Sequence, residues 1–569
     1  MSRRRRQRSV ACLVFVLLLT VAVRPTMGQS SAEGDVRLVV FIVVDQLRAD
    51  LVTRFSQHFG DDGFRRLMRD GAHFVNAYFS YGSSATAPGH ATISTGRIPR
   101  QHGIVANKWY LKPNAQRAEY AVDDENCRFV PSRADGRTGA RSPHRLIGPA
   151  LGDQIKISDA RSRVFSVSLK DRAAIFMGGQ RPDGAFWWDL RTGHFISSSY
   201  YCEELPDYVT ALNARNTADQ YAGKNWSRLL SAEDYAGRHG VGASWSNYAN
   251  LGHSFPHTLP TVGDGSGYGF YSALWCTPFG NDLVLDVVER VLANEKLGRG
   301  SAVDMLCVGF SSNDLCGHQF GLDSPEAMDM TIQTDRQVGR LLKMLDQQIG
   351  LNRCIVALAG DHGATSSPSL TKKLGLGGEY LDLKALGDEL NIRLQRHFDS
   401  TDGEPTNHKI VRAVNLPWVY LNRQLLAKLY RGHRRELLVD AADFLRATDG
   451  IANVFTEGEL TGPMPAAEDV HRWLAWRCYH PERSGQLYMQ LKPYWYKVDN
   501  KISGHNMGFN HDRHVPIMIT GPRIQPGRYF SPAMPCDIAV TVAALLGIEP
   551  PLDAVGRVLH EAVDTAPPK

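Results

Sequence analysis

Apolar residues gather in three short runs that are separated by segments of helical periodicity. The runs cover residues 36–44, 303–310 and 354–359, and the first is rich in β-branched side chains. Runs of this length and composition predict central strands that are buried on both faces. Apolar residues at helical spacing predict helices over 281–294, 324–348 and 537–546. The alternation of strands and helices predicts an α/β fold.

Two long segments interrupt this alternation. Residues 97–280 and 366–500 are rich in Gly, aromatic and polar residues, with few long periodic runs. We interpret them as insertions into one domain of residues 29–569. Residues 164–172 within the first insertion predict a strand, whose alternation would place Lys170 and Arg172 on one face.

The N-terminus predicts a secretory signal over residues 1–28. A basic segment precedes an apolar stretch at 10–23 that is too short for a comfortable membrane span. An uncleaved anchor is the alternative. Residues 1–28 contain six Arg and no acidic residue, so their removal changes the net charge from +5 to −1. The basic pI is therefore no argument for a nucleic-acid partner.

Eight cysteines follow the predicted signal, and an exported chain is permitted to form disulfides. Their pairing does not follow from the sequence. Cys307 and Cys354 lie in apolar strands, which predicts buried thiols.

Acidic residues and histidines follow each of the predicted central strands. The carboxyl ends of strands are where sites form in open α/β sheets. One Asp–His pair is spaced four residues apart, which places both side chains on one face of a helix. A further His lies in a Gly- and Asn-rich loop before a predicted strand at 514–520. The candidate ligands are Asp45, Asp314, His318, Asp361, His362 and His505.

This mixture of carboxylates and imidazoles suits Zn²⁺. Any single Asp after a strand is commonly just a helix cap, but six such groups are harder to explain that way. Six ligands divide into two sets of three, which predicts the pair of metal ions used for phosphoryl transfer.

A hydroxyl residue precedes a further predicted helix in residues 83–92, SSATAPGHAT. Pro88 suits a first helical turn. The hydroxyl of Thr86 would then lie at the helix N-terminus, among free backbone N–H groups that can bind an oxyanion. The alternative is that Thr86 only caps the helix.

Taken together, these segments resemble the alkaline phosphatase superfamily, and especially its phosphate-irrepressible, PafA-like bacterial branch with a Thr nucleophile. The matching segments span nearly the whole mature chain. They are VVDQLR at 43–48, TAPGHAT at 86–92, HGIVAN at 102–107, KDRAA at 170–174, DLCGH at 314–318, GDHG at 360–363 and residues 505–516. The resemblance implies a three-layer α/β/α sandwich with a mostly parallel central sheet.

The resemblance also implies a role for each site residue. Thr86 resembles the nucleophile, which is also a metal ligand. One zinc would be held by Asp45, Asp361 and His362, and the other by Asp314, His318 and His505. The phosphate contacts would be Asn107, Lys170 and Arg172. His511 lies within reach in sequence and is a rival to His505.

We therefore expect a secreted or periplasmic two-zinc alkaline phosphatase that hydrolyses small phosphate monoesters through a phosphothreonine intermediate. Two cationic side chains suit the dianionic phosphate of a monoester. We expect a monomer with no membrane span after signal cleavage and no specific nucleic-acid partner. A phosphodiesterase or nucleotide pyrophosphatase of the same superfamily is one alternative. A catalytically inactive secreted binding protein is another.

Overall fold

Ten strands of the described part of the chain form the central sheet, and the three predicted apolar runs lie side by side within it. The computed structural model describes residues 35–110, 118–132, 139–240, 250–262, 268–402, 409–428 and 431–564. The predicted signal peptide therefore lies outside the described residues. In spatial order the strands are Gly527–Tyr529, Ala72–Phe74, Ile517–Thr520, Cys354–Gly360, Leu38–Val44, Asp304–Phe310, Val164–Ser168, Gly184–Asp189, His194–Ser198 and Phe129–Val130.

The five strands from Cys354–Gly360 to Gly184–Asp189 in this order are parallel to one another. The strands that pair with this parallel block on either side, Ile517–Thr520 and His194–Ser198, are antiparallel to it. The predicted mostly parallel α/β sheet is thus confirmed. All seven residues of the strand Leu38–Val44 are buried, as its apolar composition requires.

Side chains of the first strand alternate between two hydrophobic cores. Val40, Ile42 and Val44 belong to one core, whereas Phe41 and Val43 belong to the other. Seven helices contribute to the first core, namely Ala49–Arg54, Phe64–Asp70, Asp207–Asn213, Tyr268–Trp275, Pro278–Glu295, Ser312–Phe320 and Pro325–Gln348. The second core includes side chains from Thr86–Thr95, Leu151–Ser158, Asp171–Gly178, Val470–Cys478 and Asp537–Leu546. The result is a three-layer α/β/α sandwich.

A smaller antiparallel sheet lies within residues 366–500 and has its own hydrophobic core. Its strands are, in order, Val411–Asn415, Trp418–Leu421, Leu487–Leu491 and Ile451–Thr456. The helices Leu383–Asp402, Arg423–Lys428 and Arg431–Ala447 contribute apolar side chains to that core.

Residues 97–280 are more closely joined to the central sheet than the sequence suggested. Four strands of the sheet, beginning at Phe129, Val164, Gly184 and His194, come from this range. The predicted strand at 164–172 is wrong at its end, because the strand stops at Ser168 and a helix runs over Asp171–Gly178. Lys170 precedes that helix and Arg172 lies within it, so strand alternation does not align them.

The eight cysteines after residue 28 all lie among the described residues, and all are free. Cys307 and Cys354 are fully buried, as predicted. None of the described helices combines the length and the apolar character that crossing a membrane requires.

The central strand should dominate the stability of the domain. Ile42 is 0% exposed within the first core, whereas Ile157 is 66% exposed on the helix Leu151–Ser158. We expect Ile42→Ala to lower the free energy of unfolding by about 2–5 kcal/mol, through lost burial and the cavity left behind. The same substitution at Ile157 should change it by less than about 0.5 kcal/mol. Denaturant unfolding of both variants measures the difference, and similar losses would contradict the assignment of the core.

Candidate active site

Parallel neighbouring strands deliver the predicted acidic residues to one edge of the sheet. Asp45 follows Leu38–Val44, and Asp361 follows the adjacent strand Cys354–Gly360. Asp314 follows the other neighbour and lies in the helix Ser312–Phe320, together with His318. All four side chains are buried.

Asp45, Asp361 and His362 form the first group that could hold a metal ion, with one potential ligand atom from each within 4.8 Å of the others. The Nε2 atom of His362 lies 3.4 Å from Asp45 Oδ1 and 3.5 Å from Asp361 Oδ2. These three atoms are buried and have no hydrogen-bond partner among the described residues. Unpaired buried polar atoms are costly. The donor set therefore fits a bound cation.

The second group contains Asp314 and His505, again with His362. His505 Nε2 lies 3.7 Å from Asp314 Oδ1, and His318 Nε2 lies 3.1 Å from the same oxygen. The rings of His362 and His505 stack with their centroids 3.8 Å apart. The structure thus brings all six predicted ligands together, while His362 lies within reach of both groups.

Backbone carbonyls orient the three imidazole rings. Each ring places Nδ1 at hydrogen-bonding distance from a main-chain oxygen, so Nε2 is the nitrogen that faces the carboxylates. The pairs are His318 with Ser503 at 2.8 Å, His362 with Gly363 at 2.9 Å and His505 with Ser84 at 2.5 Å. Metal-binding histidines are commonly fixed in this way. Burial lowers the pKa of all three rings, which favours the neutral form that binds metal.

The rival ligand His511 lies apart from both groups. Its Nε2 atom is 3.6 Å from Asp512 Oδ1. The ring lines a separate cavity of about 360 Å³ together with Tyr494 and Phe509. Burial and the nearby guanidinium of Arg48 lower the pKa of His511 to about 3.

Thr86 is the first residue of the helix Thr86–Thr95, and Ala85 occupies the capping position. The alternative that Thr86 caps this helix is therefore wrong. The hydroxyl oxygen instead lies 3.3 Å from Lys170 Nζ and 3.4 Å from Arg172 Nη2. Gly89 allows the helix to approach the candidate metal ligand Asp361, because a Cβ atom at residue 89 would lie 2.2 Å from the carbonyl oxygen of Asp361.

Lys170 connects the two groups of ligands. Its ammonium lies 2.5 Å from Asp45 Oδ2 and 2.6 Å from Asp314 Oδ2. Burial, followed by the charge of Asp361, raises the pKa of Asp45 well above its usual value. Burial would likewise raise the pKa of Asp361, but His362 and other neighbours hold it at about 2. The pKa values of Asp45 and Asp361 therefore move in opposite directions, as is expected of two carboxyl groups that share one buried site.

Arg172 is held by a residue that sequence reasoning missed. Its Nη1 atom donates to the hydroxyl of Tyr120 at 2.9 Å, and that hydroxyl donates to Asp171 Oδ1 at 2.5 Å. Asp171 also pairs with Arg141 at 2.9 Å. Tyr120 lies outside any recognisable sequence motif, so only the fold connects it to Arg172.

Asn107, the last of the predicted phosphate contacts, contacts the first turn of the helix Thr86–Thr95. Its Oδ1 atom accepts a hydrogen bond of 2.9 Å from the backbone N–H of Ala87. A cavity of about 1390 Å³ opens beside these groups and is lined by Asn107, Lys170, Arg172 and Asp314. Much of its wall comes from residues 97–280, including Tyr120, Arg141, Trp187 and Trp188.

Comparison with known proteins identifies the family. The model of the type I phosphodiesterase / nucleotide pyrophosphatase family matches residues 39–514. Alkaline phosphatase PafA of Elizabethkingia meningoseptica is 32% identical over 537 residues, which cover 93% of this chain and 94% of the relative. A Myroides odoratus protein named calcium-transporting ATPase is 30% identical over 542 residues, covering 93% of this chain and 95% of the relative.

A solved structure of PafA gives a TM-score of 0.83 at 29% identity, and the match covers 94% of this chain and 100% of that one. The solved protein carries substitutions at one Thr, one Asn, one Lys and one Arg. The resemblance inferred from sequence motifs and the predicted fold are both confirmed. The chain therefore belongs to the type I phosphodiesterase / nucleotide pyrophosphatase family within the alkaline phosphatase superfamily, and it is a phosphomonoester hydrolase of the PafA-like alkaline phosphatase branch.

Proposed function

We propose that this phosphatase uses two Zn²⁺ ions and hydrolyses phosphate monoesters through a phosphothreonine intermediate at Thr86. The observation that carries the proposal is the position of the Thr86 hydroxyl. This hydroxyl lies at a helix N-terminus, within 3.4 Å of the cationic groups of Lys170 and Arg172. Both side chains lie beside the Asp/His groups. A hydroxyl so placed can attack a phosphorus atom whose oxygens are held by the same cations.

Asp45, Asp361 and His362 would hold one zinc, and Asp314, His318 and His505 the other. Three unpaired buried atoms in the first set support this assignment. Burial also lowers the pKa of the three imidazoles across both sets, which favours the metal-binding form. Bound zinc supplies Lewis acidity, which stabilises negative charge on oxygen without a dedicated protein base.

Thr86 forms the first new bond of the reaction. Its Oγ1 atom attacks phosphorus in line with the leaving group, the ester P–O bond breaks, and the alcohol departs. Water then attacks the phosphothreonine, the P–Oγ1 bond breaks, and inorganic phosphate leaves with the Thr hydroxyl restored. The positive end of the helix dipole lies at Thr86 and favours the negative charge that gathers beside it.

Asn107, Lys170 and Arg172 would bind the non-bridging oxygens of the phosphate. In the structure Lys170 is paired with Asp45 and Asp314. Its flexible side chain can exchange these carboxylates for phosphate oxygens when zinc neutralises them. The substituted residue types in the solved PafA variant are the same four as Thr86, Asn107, Lys170 and Arg172, which supports their joint role.

Monoester preference would come from residues 97–280, because this range supplies all three phosphate contacts. A monoester dianion offers more charge on its non-bridging oxygens than a diester, which has a second ester group there. The family model also includes phosphodiesterases and nucleotide pyrophosphatases. Diester hydrolysis is therefore the second candidate, and two cations beside Thr86 favour it less.

We also propose that the chain is exported to the periplasm or secreted, and that it acts as a monomer on small phosphate monoesters. The basic segment and apolar stretch within residues 1–28 support export. The domain would then comprise residues 29–569.

Removing the nucleophile should separate chemistry from metal binding. We expect Thr86→Ala to lower kcat for an aryl phosphate by roughly 10³-fold or more, while zinc content stays near that of the unmodified protein. Thr95→Ala, in the same helix, is the matched control and should keep most activity. Retained turnover in Thr86→Ala would exclude Thr86 as the nucleophile.

The choice between His505 and His511 is open to direct measurement. His505→Ala should lose about one of two zinc equivalents in metal analysis, because this ring faces Asp314. His511→Ala should keep both, since its ring lines a different cavity. Loss of zinc from the His511 variant alone would reverse the assignment.

Combined Lys170→Ala and Arg172→Ala should lower kcat/KM for a phosphate monoester by roughly 10²–10⁴-fold, from two lost hydrogen bonds to charged oxygens. The matching diester should lose less, because it presents less charge to the same two side chains. Parallel assays of 4-nitrophenyl phosphate and its bis-ester measure the ratio. Equal losses on both substrates would remove the proposed basis of specificity.

A further inference from the structure

Gln46 occupies a backbone conformation that residues other than glycine rarely adopt. It directly follows Asp45 and is 1% exposed. Its φ angle is 64°, in the left-handed region. Strained residues of this kind persist where the surrounding structure holds them, and they gather at functional sites. The contacts of Gln46 therefore need an explanation.

The backbone nitrogen and the side-chain nitrogen of Gln46 both donate to candidate metal ligands. The backbone N–H donates to Asp361 Oδ1 at 3.0 Å, and the side-chain Nε2 donates to Asp314 Oδ1 at 2.7 Å. Asp361 belongs to one group of ligands and Asp314 to the other. A carboxylate oxygen has two lone pairs, so each hydrogen bond leaves one for a cation. One residue thus restrains a carboxylate in each set.

Gly317 provides the space for this side chain. A Cβ atom at Gly317 would lie 1.8 Å from Gln46 Oε1 and 3.0 Å from its Cδ. No other residue type could therefore stand at 317 while the amide keeps its position. The glycine between Asp314 and His318 thus has a steric purpose that metal ligation by its neighbours does not explain.

The orientation of the amide is also fixed by its surroundings. Gln46 Oε1 is buried with no hydrogen-bond partner among the described residues. Exchanging the two amide atoms would set this oxygen against Asp314 Oδ1 and would lose the donated bond. The buried oxygen costs stability, and the chain nevertheless keeps glutamine here.

We propose that Gln46 is a positioning residue that ties the two metal sites together, and that Gly317 admits its side chain between them. The proposal rests on the two-metal site argued above. The side-chain amide fixes Asp314, while the peptide N–H fixes Asp361. Loss of the side chain alone should therefore weaken one metal site and spare the other.

The test is zinc affinity, measured by competition with a chromophoric chelator. Gln46→Met keeps the approximate side-chain volume and removes the amide, and Gln46→Gly keeps the peptide N–H and suits the left-handed backbone. We expect each variant to bind one zinc about 10–100-fold more weakly and the other unchanged. Gly317→Ala should reproduce this loss by displacing the amide, whereas Cys316→Ala in the same helix should not.

Melting of the zinc-free proteins shows whether the loss is specific. Variants that melt like the unmodified chain while one zinc site weakens support positioning. Unchanged affinity at both sites, or equal weakening at both with a lower melting temperature, would overturn the proposal for Gln46. An unmodified chain that holds no zinc would instead overturn the proposed two-metal function, and the inference with it.

Discussion

The concentration of negative charge at one edge of the sheet is the constraint on which the site depends. Asp45, Asp314 and Asp361 are all buried, and they come together because their strands are parallel neighbours. Three carboxylates cannot all remain charged in a low-dielectric interior without nearby positive charge. The arrangement of the surrounding groups follows from this requirement.

Positive charge and hydrogen-bond donors reach the carboxylates from several directions. Lys170 pairs with one carboxylate oxygen each of Asp45 and Asp314. Three imidazoles turn Nε2 toward the other oxygen of these two carboxylates and toward Asp361 Oδ2. Gln46 adds donors to Asp361 and Asp314. A protein that needed these carboxylates only for stability would do better with apolar side chains. The arrangement instead suits bound cations and an anionic substrate.

The position of Thr86, the proposed nucleophile, depends on the same geometry. The helix that begins at Thr86 packs against the backbone of Asp361, and only a glycine at 89 permits so close an approach. Arg172 reaches the hydroxyl from a second helix, supported by Tyr120. The core of the sheet therefore carries the candidate metal ligands and Thr86, while residues 97–280 add Asn107, Lys170, Arg172 and much of the wall of the cavity.

Much of this was determined by the sequence alone. The apolar runs predicted adjacent buried strands, because continuous burial on both faces requires continuous apolar residues. The candidate Asp and His ligands were predicted from strand ends, from a loop before a strand in the case of His505, and from the matching motifs. Thr86 was predicted from its place at a helix N-terminus and from its motif. The end of the strand at Ser168 was not predicted, since the alternation of polar residues beyond it suits a strand as well as a helix start. Only the tertiary structure revealed Tyr120 and the restraining bonds of Gln46, and only it separated His511 from the site. Such contacts join residues far apart in the chain, and local periodicity carries no information about distances across the fold.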